Sequence, residues 1–579
     1  MTGTTPRHPI QAAEGNADES GNFLRKVRVQ LLRPYGWPAI IIVVLVFATW
    51  KRYSNWPTIF DIGFWDETFY LYYGIFREPI FGVDRLPEIN FGNYETSPLY
   101  EVYYYIIGRF SRDARTVYFV GGLTIQLIAL FSIGFVAGKL SRSLAITTLV
   151  FGLTLCSPFL LTWPRVSYLA VTFIVIGIWL ATLETRFANR LAITLLVSFT
   201  LCFIRPEFIL TMYATGAGLF GTLLYSTLPE LYKAIMGRSR IERPALYRLA
   251  VYLCAVSLLC SAWSFPMLQG EERAMLAFGQ HYSVRWVNEH GSSLDPMFNY
   301  AYIVNKMFPG AKTPVQAFLL NPIELSRFVL LNVLETVPVL LRLLVSWRDI
   351  VVIIGLTSGL LALLFLSARS MYHRMQGTGL QSVFKKVPLV ESGLYAVAAL
   401  AALIFVYPDS HYAVMLPPAL MPCCVAIARW RPWSKAFDVA MGLLAAMAIA
   451  VATRPLPVTD QPILQTINVI RDLRLPMNRM LEVEGGWCLY LEPPCEPEWG
   501  WMYNPTISAL ELIIDRKTDA IMVSDDLLRF FRSARHDQSL DEFLNSVSGN
   551  QWHRYDVGDG FYLLHREVSG ASPTVRGPR

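Results

Sequence analysis

The stretch WPAIIIVVLVFATW, residues 37–50, is the first of many apolar runs, and it decides how the rest of the chain is interpreted. About 20 apolar residues suffice to cross the roughly 30 Å of hydrocarbon in a bilayer. A long segment rich in tyrosine, tryptophan and acids follows, and a second apolar helix is expected near Thr116. That segment carries two adjacent acids, Asp66 and Glu67, in FWDETFY at 64–70. Acids held against a membrane surface by aromatic side chains form a candidate acid/base site.

The composition is that of a polytopic membrane protein. Of the 579 residues, 54% are hydrophobic and only 16% are charged, whereas soluble domains carry about 25% charged residues. Apolar runs recur along most of the chain. They predict about eleven membrane spans, near residues 36–53, 115–138, 144–162, 166–183, 190–204, 207–227, 248–266, 350–367, 393–407, 412–428 and 436–453.

The net charge of +6 comes from basic loops between these runs. Placing all of the loops in the cytoplasm satisfies the positive-inside rule. The N-terminus is then cytoplasmic and the C-terminus extracytoplasmic, across a bacterial-type inner or plasma membrane. Because topology explains the basic residues, we expect no nucleic-acid partner. The clusters begin at Arg25, Lys139, Lys233, Arg369 and Arg429.

The map divides the chain into three parts. Residues 1–35 are polar, lack a cleavable signal and are expected to be a disordered cytoplasmic tail. Residues 36–453 form a transmembrane domain, with large outer loops at 54–114 and 267–349. Residues 454–579 mix helical and strand patterns, and predict a small soluble α/β domain outside the membrane. The predicted fold class is mainly α, a polytopic helical membrane protein with a C-terminal α/β domain.

Local patterns refine two of these parts. Residues 324–345 are apolar with one polar side and follow an Asn-Pro helix start, so we expect an amphipathic helix lying in the outer interface. In the C-terminal domain we expect strands at 484–491 and 519–523. A hairpin is expected at 555–564, because Gly-Asp-Gly lies between two strand-like runs.

Cys488 and Cys495 are the two cysteines, of eight, that lie in the polar C-terminal part. If that part is exported, a short-loop disulfide between them is expected, with two free thiols as the open alternative. The spacing of cysteines and histidines is not that of a zinc site.

Asp66 and Glu67 are the first residues that could carry chemistry. Loop acids are usually solvated, or cap a helix such as one beginning near Thr68. Here aromatic neighbours, among them Trp65 and Tyr70, would partly remove water from a carboxyl group and raise its pKa. This setting favours the catalytic interpretation of both acids.

Arg165 and Arg205 lie at the outer ends of two predicted spans. Ionisable groups at membrane depth mark functional sites by default, although pairing of Arg205 with Glu207 is an open structural alternative. A guanidinium fork matches a phosphate group well. His411, in the turn YPDSHY at 407–412, opens a helix whose N-terminus favours anions.

The two outer loops offer further donors, cations and acids that could contact an acceptor or form a lid. These candidates are Tyr70, Glu95, Arg273 and His281.

Together these features resemble the GT-C superfamily of polytopic glycosyltransferases, especially protein O-mannosyltransferases and 4-amino-arabinose lipid A transferases. Two positions depart from the family pattern: Ser97 replaces the first proline of a Pro-Pro pair, and His411 replaces a late arginine. The matching stretches are WDETFYLY at 65–72, SPLY at 97–100, PRVS at 164–167 and DSHYAVMLP at 409–417.

The resemblance implies a polyprenyl-phosphate sugar as donor and a hydroxyl of a cell-envelope glycan, lipid or protein as acceptor. Asp66 would be the general base of an inverting transfer, and Glu67 would orient it. Arg165, Arg205 and His411 would bind the donor phosphate. Some superfamily members need a divalent metal. Because this chain has one acidic pair and no second acidic cluster nearby, we expect no metal and no other cofactor.

Two other classes of function stay open. A lipid-linked sugar transporter or flippase would need ionisable or broken helices at the membrane midplane, usually in repeated halves. An outer-face polysaccharide polymerase or ligase would depend on loop arginines and histidines rather than on Asp66.

Overall fold

A computed structural model of the protein describes most of the chain. The expected tail at 1–35 and the predicted span at 248–266 lie outside the described part. The described residues are 38–58, 61–62, 66–76, 97–111, 113–161, 165–235, 271–346, 349–378, 387–483, 486–492, 494–499, 507–547, 551–558 and 560–566.

The chain up to residue 452 is helical almost throughout its described part. Short 3-10 turns at Pro158–Leu161 and Pro206–Phe208, and a π-helical turn at Ala402–Val406, join some of the α-helices. The α-helices are α1 Pro38–Arg52, α2 Asp66–Phe76, α3 Pro98–Gly108, α4 Ala114–Ser141, α5 Leu144–Cys156, α6 Val166–Ala181, α7 Phe187–Cys202, α8 Ile209–Ile235, α9 Glu271–His290, α10 Tyr300–Met307, α11 Pro314–Leu320, α12 Pro322–Leu344, α13 Ile350–Thr378, α14 Leu389–Ala401, α15 Ser410–Ala413, α16 Leu416–Ala426 and α17 Lys435–Ala452.

The length and composition of these helices are those of a membrane protein. Among the described residues, α4, α13, α17 and the helical stretches 389–406 and 410–430 are each long and apolar enough to cross a bilayer. α5, α6 and α7 are shorter apolar helices. The predicted mainly helical fold class is confirmed.

Polar side chains fix where several helices begin. Asp113 accepts a hydrogen bond from the Thr116 backbone N–H, and Ser143 accepts one from Ile146, so each side chain caps the helix that follows it. Arg142, between α4 and α5, has a left-handed backbone. The two apolar helices therefore reverse direction over two residues.

Buried ion pairs tie distant helices together. Arg190 of α7 donates to both carboxylate oxygens of Glu391 in α14, each at 2.6 Å. Arg52, at the end of α1, contacts Asp349 at 3.0 Å. Burying a charge is costly unless it is paired and hydrogen-bonded, so these contacts specify which helices are neighbours.

The amphipathic helix predicted at 324–345 is α12. The Asn321 side chain accepts from the Glu324 backbone N–H at 3.2 Å and caps its start. Asn332, on the buried side, donates to the Ile404 carbonyl at 2.9 Å. The opposite side exposes a row of apolar residues, as an interfacial helix requires. This row is Ile323, Leu330, Leu334, Val337 and Leu341.

The C-terminal part forms a five-stranded sheet of order β2-β1-β3-β5-β4. β1 is parallel to β2 and β3, whereas β5 is antiparallel to β3 and β4. The small α/β character predicted for this region is confirmed. Its elements are α18 Pro462–Leu473, β1 Arg479–Glu482, α19 Trp487–Tyr490, β2 Glu496–Trp499, α20 Ala509–Asp515, β3 Ala520–Val523, α21 Asp525–Arg529, α22 Ser539–Ser546, β4 Trp552–Gly558 and β5 Phe561–Arg566.

One predicted strand is wrong and the other two predictions are confirmed. The strand expected at 484–491 lies earlier, as β1, and α19 occupies the later residues. The Glu482 carboxylate accepts the backbone N–H groups of Trp487 and Cys488, and this hydrogen bonding favours a helical turn there. β3 matches the expected strand at 519–523, and β4 with β5 forms the predicted hairpin.

The sheet has one face on the helix bundle and one on its own helices. Met480, Met522 and Leu563 belong to the large apolar core that also contains α1 and α4 to α8. Their neighbours Leu481 and Leu564 belong to a separate core with α20, α21 and α22. Side chains alternate between the faces of a strand, which explains why neighbouring residues belong to different cores. The face with Met480, Met522 and Leu563 shares one apolar core with the bundle.

The first prediction concerns the buried ion pair. Arg190→Ala leaves the Glu391 carboxylate, which has 0% exposure, without its guanidinium partner. We expect the free energy of unfolding to fall by about 3–5 kcal/mol. Denaturant titration in detergent measures it. Arg327→Ala, which removes the exposed pair with Glu289, is the control and should cost about 1 kcal/mol or less. An equal loss in both variants would contradict this account.

Candidate functional site

The acids singled out from the sequence open helix α2. Asp66 is its first residue, and the Asp66 side chain lies outside the described part of the structure. Glu67 has 0% exposure. One of its carboxyl oxygens accepts hydrogen bonds from the hydroxyl groups of Tyr100, at 2.6 Å, and Tyr104. The other accepts the backbone N–H of Arg165 at 3.0 Å.

Helix α3 supplies the two phenol donors because it packs closely along α2. A Cβ atom on Gly74 would lie 2.5 Å from the Cβ atom of Tyr104, so only glycine permits this approach. The Tyr70 ring, one turn after Glu67, meets the Tyr100 ring edge-on at 5.2 Å. Burial, and then the charge of Glu67, raise the pKa of Tyr100 and Tyr104 well above the ordinary value. Both hydroxyl groups therefore stay protonated donors at neutral pH.

Arg165 sits at the start of α6 with 2% exposure. Its guanidinium donates to the Tyr118 carbonyl at 3.1 Å and lies 4.3 Å above the Tyr118 ring. The Trp56 ring lies 5.8 Å away. A Cβ atom on Gly122 would lie 2.2 Å from the guanidinium. The cation is thus held against α4 by aromatic faces and a glycine.

Arg205 and His411 lie around Tyr412. The Arg205 guanidinium is 4.9 Å above the Tyr412 ring and 3.7 Å from the Glu207 carboxylate, so the ion pair left open by the sequence is present. The ring of His411 lies 3.4 Å from the Asp409 carboxylate. Burial alone would raise the pKa of Asp409, but hydrogen bonds from His411 and Ser410 hold it well below the ordinary range.

His281, a lid candidate from the second outer loop, joins this group from α9. Its ring stacks on Tyr407 with centroids 4.9 Å apart and lies 6.4 Å from the Tyr412 ring. Burial, and then the charge of His411, lower the pKa of His281 to about 4, although Asp409 acts in the opposite direction. A neutral imidazole therefore lies near Tyr412 and His411 at physiological pH.

Two serine hydroxyl groups connect the Glu67 and Arg205 groups. The hydroxyl of Ser167, the second residue of α6, donates to the His411 carbonyl at 2.8 Å. The Ser97 hydroxyl donates to the Ile204 carbonyl at 2.6 Å and lies 3.5 Å from the Tyr70 hydroxyl. The structure therefore brings Glu67, Tyr70, Arg165, Arg205, His281 and His411 into one network.

Two predicted candidates cannot be placed in this network. Glu95 lies outside the described residues, and of Arg273 only the helical backbone in α9 is described. Among the described residues, no group of three or more histidines, cysteines and acids is arranged to hold a metal ion. The expectation that the protein works without a metal stays a prediction.

Tyr118, Gly122 and Tyr490 are among the residues of the site that the sequence does not single out. Tyr118 and Gly122 lie inside an apolar run, where nothing distinguishes them from core residues. Tyr490, from the C-terminal domain, has 1% exposure and meets the Tyr118 ring edge-on at 6.2 Å. Its position between Cys488 and Cys495, which form a disulfide, was the one available signal.

Comparison with known proteins gives little further information. No protein-family model and no curated protein matches the chain. Two solved structures from Archaeoglobus fulgidus are similar at 13% identity and a TM-score of 0.37. One is the oligosaccharyltransferase AglB in complex with an inhibitory peptide and a dolichol-phosphate, covering 93% of this chain and 75% of that one. The other is an oligosaccharyltransferase complex with Zn and sulfate, covering 91% and 73%. Similarity at this level establishes neither the family nor the chemistry of this chain.

The second prediction tests how Arg165 is held. Gly122→Ala places a methyl group 2.2 Å from the guanidinium in a well-packed interior, so the cation has to move. We expect destabilisation of about 1–3 kcal/mol, the usual range for overpacking, measured by denaturant titration. Gly221→Ala in α8 meets nothing within 4 Å and serves as the control. If the two variants are equally stable, the guanidinium is not confined at Gly122.

The third prediction concerns pH. Because the folded pKa of His281 is about 4 and the ordinary value is about 6.5, the unfolded chain binds more protons between these values. The contribution of His281 to stability is therefore complete above about pH 6.5 and decreases as the pH falls towards 4. His281→Gln should show a smaller drop in melting temperature from pH 7 to pH 4.5 than wild type. His373→Gln, an exposed control, should follow wild type, and identical curves for all three proteins would contradict the account.

Proposed function

We propose that the protein is a membrane glycosyltransferase that moves a sugar from a polyprenyl-phosphate donor to an acceptor hydroxyl group. We place the reaction on the extracytoplasmic face of a bacterial-type inner membrane, with the N-terminus in the cytoplasm. The acceptor is a cell-envelope glycan, lipid or protein.

The observation that carries this proposal is the anchoring of Glu67. Its carboxyl group accepts two phenol hydroxyls and the Arg165 backbone N–H. The first turn of α2 is therefore fixed beside the start of α6, and Asp66 precedes the anchor by one residue. An acid held in a set position next to buried cations is what general base catalysis at a membrane surface needs.

In the proposed reaction, Asp66 takes the proton of the acceptor hydroxyl as its oxygen attacks the anomeric carbon. The bond between that carbon and the phosphate oxygen breaks, and its electron pair stays with the departing lipid phosphate. Attack from the side opposite the leaving group inverts the configuration. Glu67 orients the turn that carries Asp66, and positioned donors lower the barrier by stabilising the charge that develops on the phosphate.

Arg165, Arg205 and His411 have different surroundings, and we assign them different parts in stabilising the departing phosphate. Arg205 and His411 lie around Tyr412 with His281 nearby, and a cluster of donors on several elements suits a phosphate with several oxygens. Arg165, held against Tyr118, adds positive charge behind Glu67. Tyr70, which packs on Tyr100 beside Glu67, and His281, which borders the donor-phosphate group, are assigned to the acceptor.

A specific observation also supports a second candidate function. The group formed by Arg205, His281 and His411 is what an outer-face polysaccharide polymerase or ligase would use. Such an enzyme would not need Asp66. The proposed transferase therefore depends on the Asp66 carboxyl group, whereas this alternative does not. A flippase for the lipid-linked sugar would not depend on it either.

The fourth prediction separates these functions. Purified wild type, given a radiolabelled polyprenyl-phosphate sugar and cell-envelope acceptors, should transfer the label. Asp66→Asn keeps the size of the side chain and removes the base, so the rate should fall by roughly 10²–10⁴-fold. The measurement is label recovered in the acceptor fraction, with the melting temperature as a check on folding.

Asp460→Asn, which changes an exposed acid, is the matched control and should retain wild-type transfer. Undiminished transfer in Asp66→Asn would favour the polymerase or ligase. Movement of intact lipid-linked sugar across vesicles, without its consumption, would favour the flippase and overturn the proposal.

A further inference from the structure

The C-terminal domain is joined to the bundle by specific polar contacts in addition to the chain connection. The Asn55 side chain donates to the Leu456 carbonyl at 2.9 Å. The Asp61 carboxylate accepts the backbone N–H groups of Ile463, at 2.8 Å, and Leu464, at 3.0 Å. An acid from the first loop thus caps α18, the first helix after the bundle.

The same helix is held a second time from α4. Arg471, near the end of α18, lies 3.5 Å from the Asp113 carboxylate. Arg115, the second residue of α4, donates to the Asn468 side chain at 2.8 Å. Asp61 holds the start of α18 and these contacts hold its second half, so the helix has a set position on the bundle.

The loop that carries Tyr490 is held at its base and reaches from the sheet to the bundle. The disulfide closes it, with the two Cα atoms 4.8 Å apart. At its base, the buried Glu482 carboxylate accepts the N–H groups of Trp487, at 2.8 Å, and Cys488, at 3.3 Å. The Trp487 ring packs edge-on against Phe561 at 5.0 Å. Little freedom remains in the direction of this loop.

Tyr490 is the residue that this loop presents to the site. Its hydroxyl hydrogen-bonds the Thr68 side chain, and its surroundings include Glu67, Tyr118 and Arg165. Thr68 has 0% exposure. Burial raises the pKa of Tyr490 well above the ordinary value, and the charges of Tyr118 and Glu67 add to this. The hydroxyl therefore stays protonated and able to hydrogen-bond.

We propose that the C-terminal domain completes the site: Tyr490, held by the disulfide-closed loop, fixes Thr68 and with it the first turn of α2. This inference rests on the proposed function, because that turn carries Asp66 and Glu67. Tyr490 is a positioning residue and acts on the reaction through Thr68. The domain is then part of the enzyme. Because the disulfide forms in an oxidising compartment, the site reaches its full geometry only there.

A purely structural role for Tyr490 is the alternative. In that case, filling the space with a phenylalanine ring would restore everything that alanine loses. A positioning role predicts that phenylalanine restores packing and leaves the Thr68 hydroxyl unheld. The two roles therefore differ in what Tyr490→Phe does to turnover and to the motion of α2.

The fifth prediction uses Tyr490→Phe and Tyr490→Ala in the full-length protein. Loss of one hydrogen bond should lower kcat by roughly fivefold in Tyr490→Phe, and Tyr490→Ala should lose more. KM for the lipid-linked sugar should change less than kcat, because the donor-phosphate groups around Tyr412 are untouched. Tyr562→Phe, the same change elsewhere in the C-terminal domain, is the control and should match wild type.

Hydrogen exchange of the backbone amides of residues 66–76 gives a readout that needs no activity. We expect faster exchange there in both Tyr490 variants and unchanged exchange in Tyr562→Phe. Replacing both Cys488 and Cys495 with alanine should have the same effect on exchange and on kcat. Reducing agent should lower kcat of the wild type, and should leave kcat of this double variant unchanged.

The outcomes separate the two proposals. If wild type transfers sugar and the Tyr490 variants match it in kcat and exchange, the positioning role is overturned and the transferase function stands. If wild type transfers nothing, yet exchange in α2 rises in both Tyr490 variants, the transferase function fails and the positioning role stands. If Tyr490→Phe has the wild-type kcat and exchange rates while Tyr490→Ala does not, Tyr490 is a packing residue and the positioning role is overturned.

Discussion

Glu67 sets the constraint on which the arrangement of the site depends, because a carboxyl group removed from water needs hydrogen-bond partners. The interaction joins three helices: α2 carries Glu67, α3 supplies two phenol hydroxyls, and the start of α6 supplies a backbone N–H. None of these helices can shift without leaving a buried polar group unsatisfied. The position of Glu67, and of the backbone that carries Asp66, is therefore fixed by the same contacts that hold the helices together.

The buried cations of the bundle are held in two different ways. Arg190 and Arg52 are paired directly with carboxylates, and they connect helices. Arg165 donates to a carbonyl and lies against aromatic rings, with a glycine making room for it. Aromatic faces attract a cation without neutralising it. In our interpretation the first kind of site builds the fold, and the second keeps positive charge next to Glu67.

The C-terminal domain extends this arrangement beyond the bundle. One face of its sheet belongs to the same apolar core as the membrane helices. Its first helix is capped by Asp61, and its disulfide-closed loop carries Tyr490 to Thr68. An independent module tethered by a linker would share neither a core nor a buried hydrogen bond with the bundle. The domain and the first loop therefore form one structural unit.

The sequence by itself determined the helical membrane fold and the change to α/β structure near residue 454. It also identified Glu67, Arg165 and Arg205 as candidate site residues. Hydropathy and local charge carry that information, because each span must satisfy its own backbone and bury its own apolar side chains. Only the tertiary structure decided that Glu67 anchors α2, that Gly122 makes room for Arg165 and that Tyr490 reaches Thr68. These contacts join residues far apart in the chain, and no local pattern encodes which distant surfaces meet. The prediction of a strand at 484–491 was wrong for the same reason. The disulfide and the hydrogen bonds to the Glu482 carboxylate override the local preference for a strand.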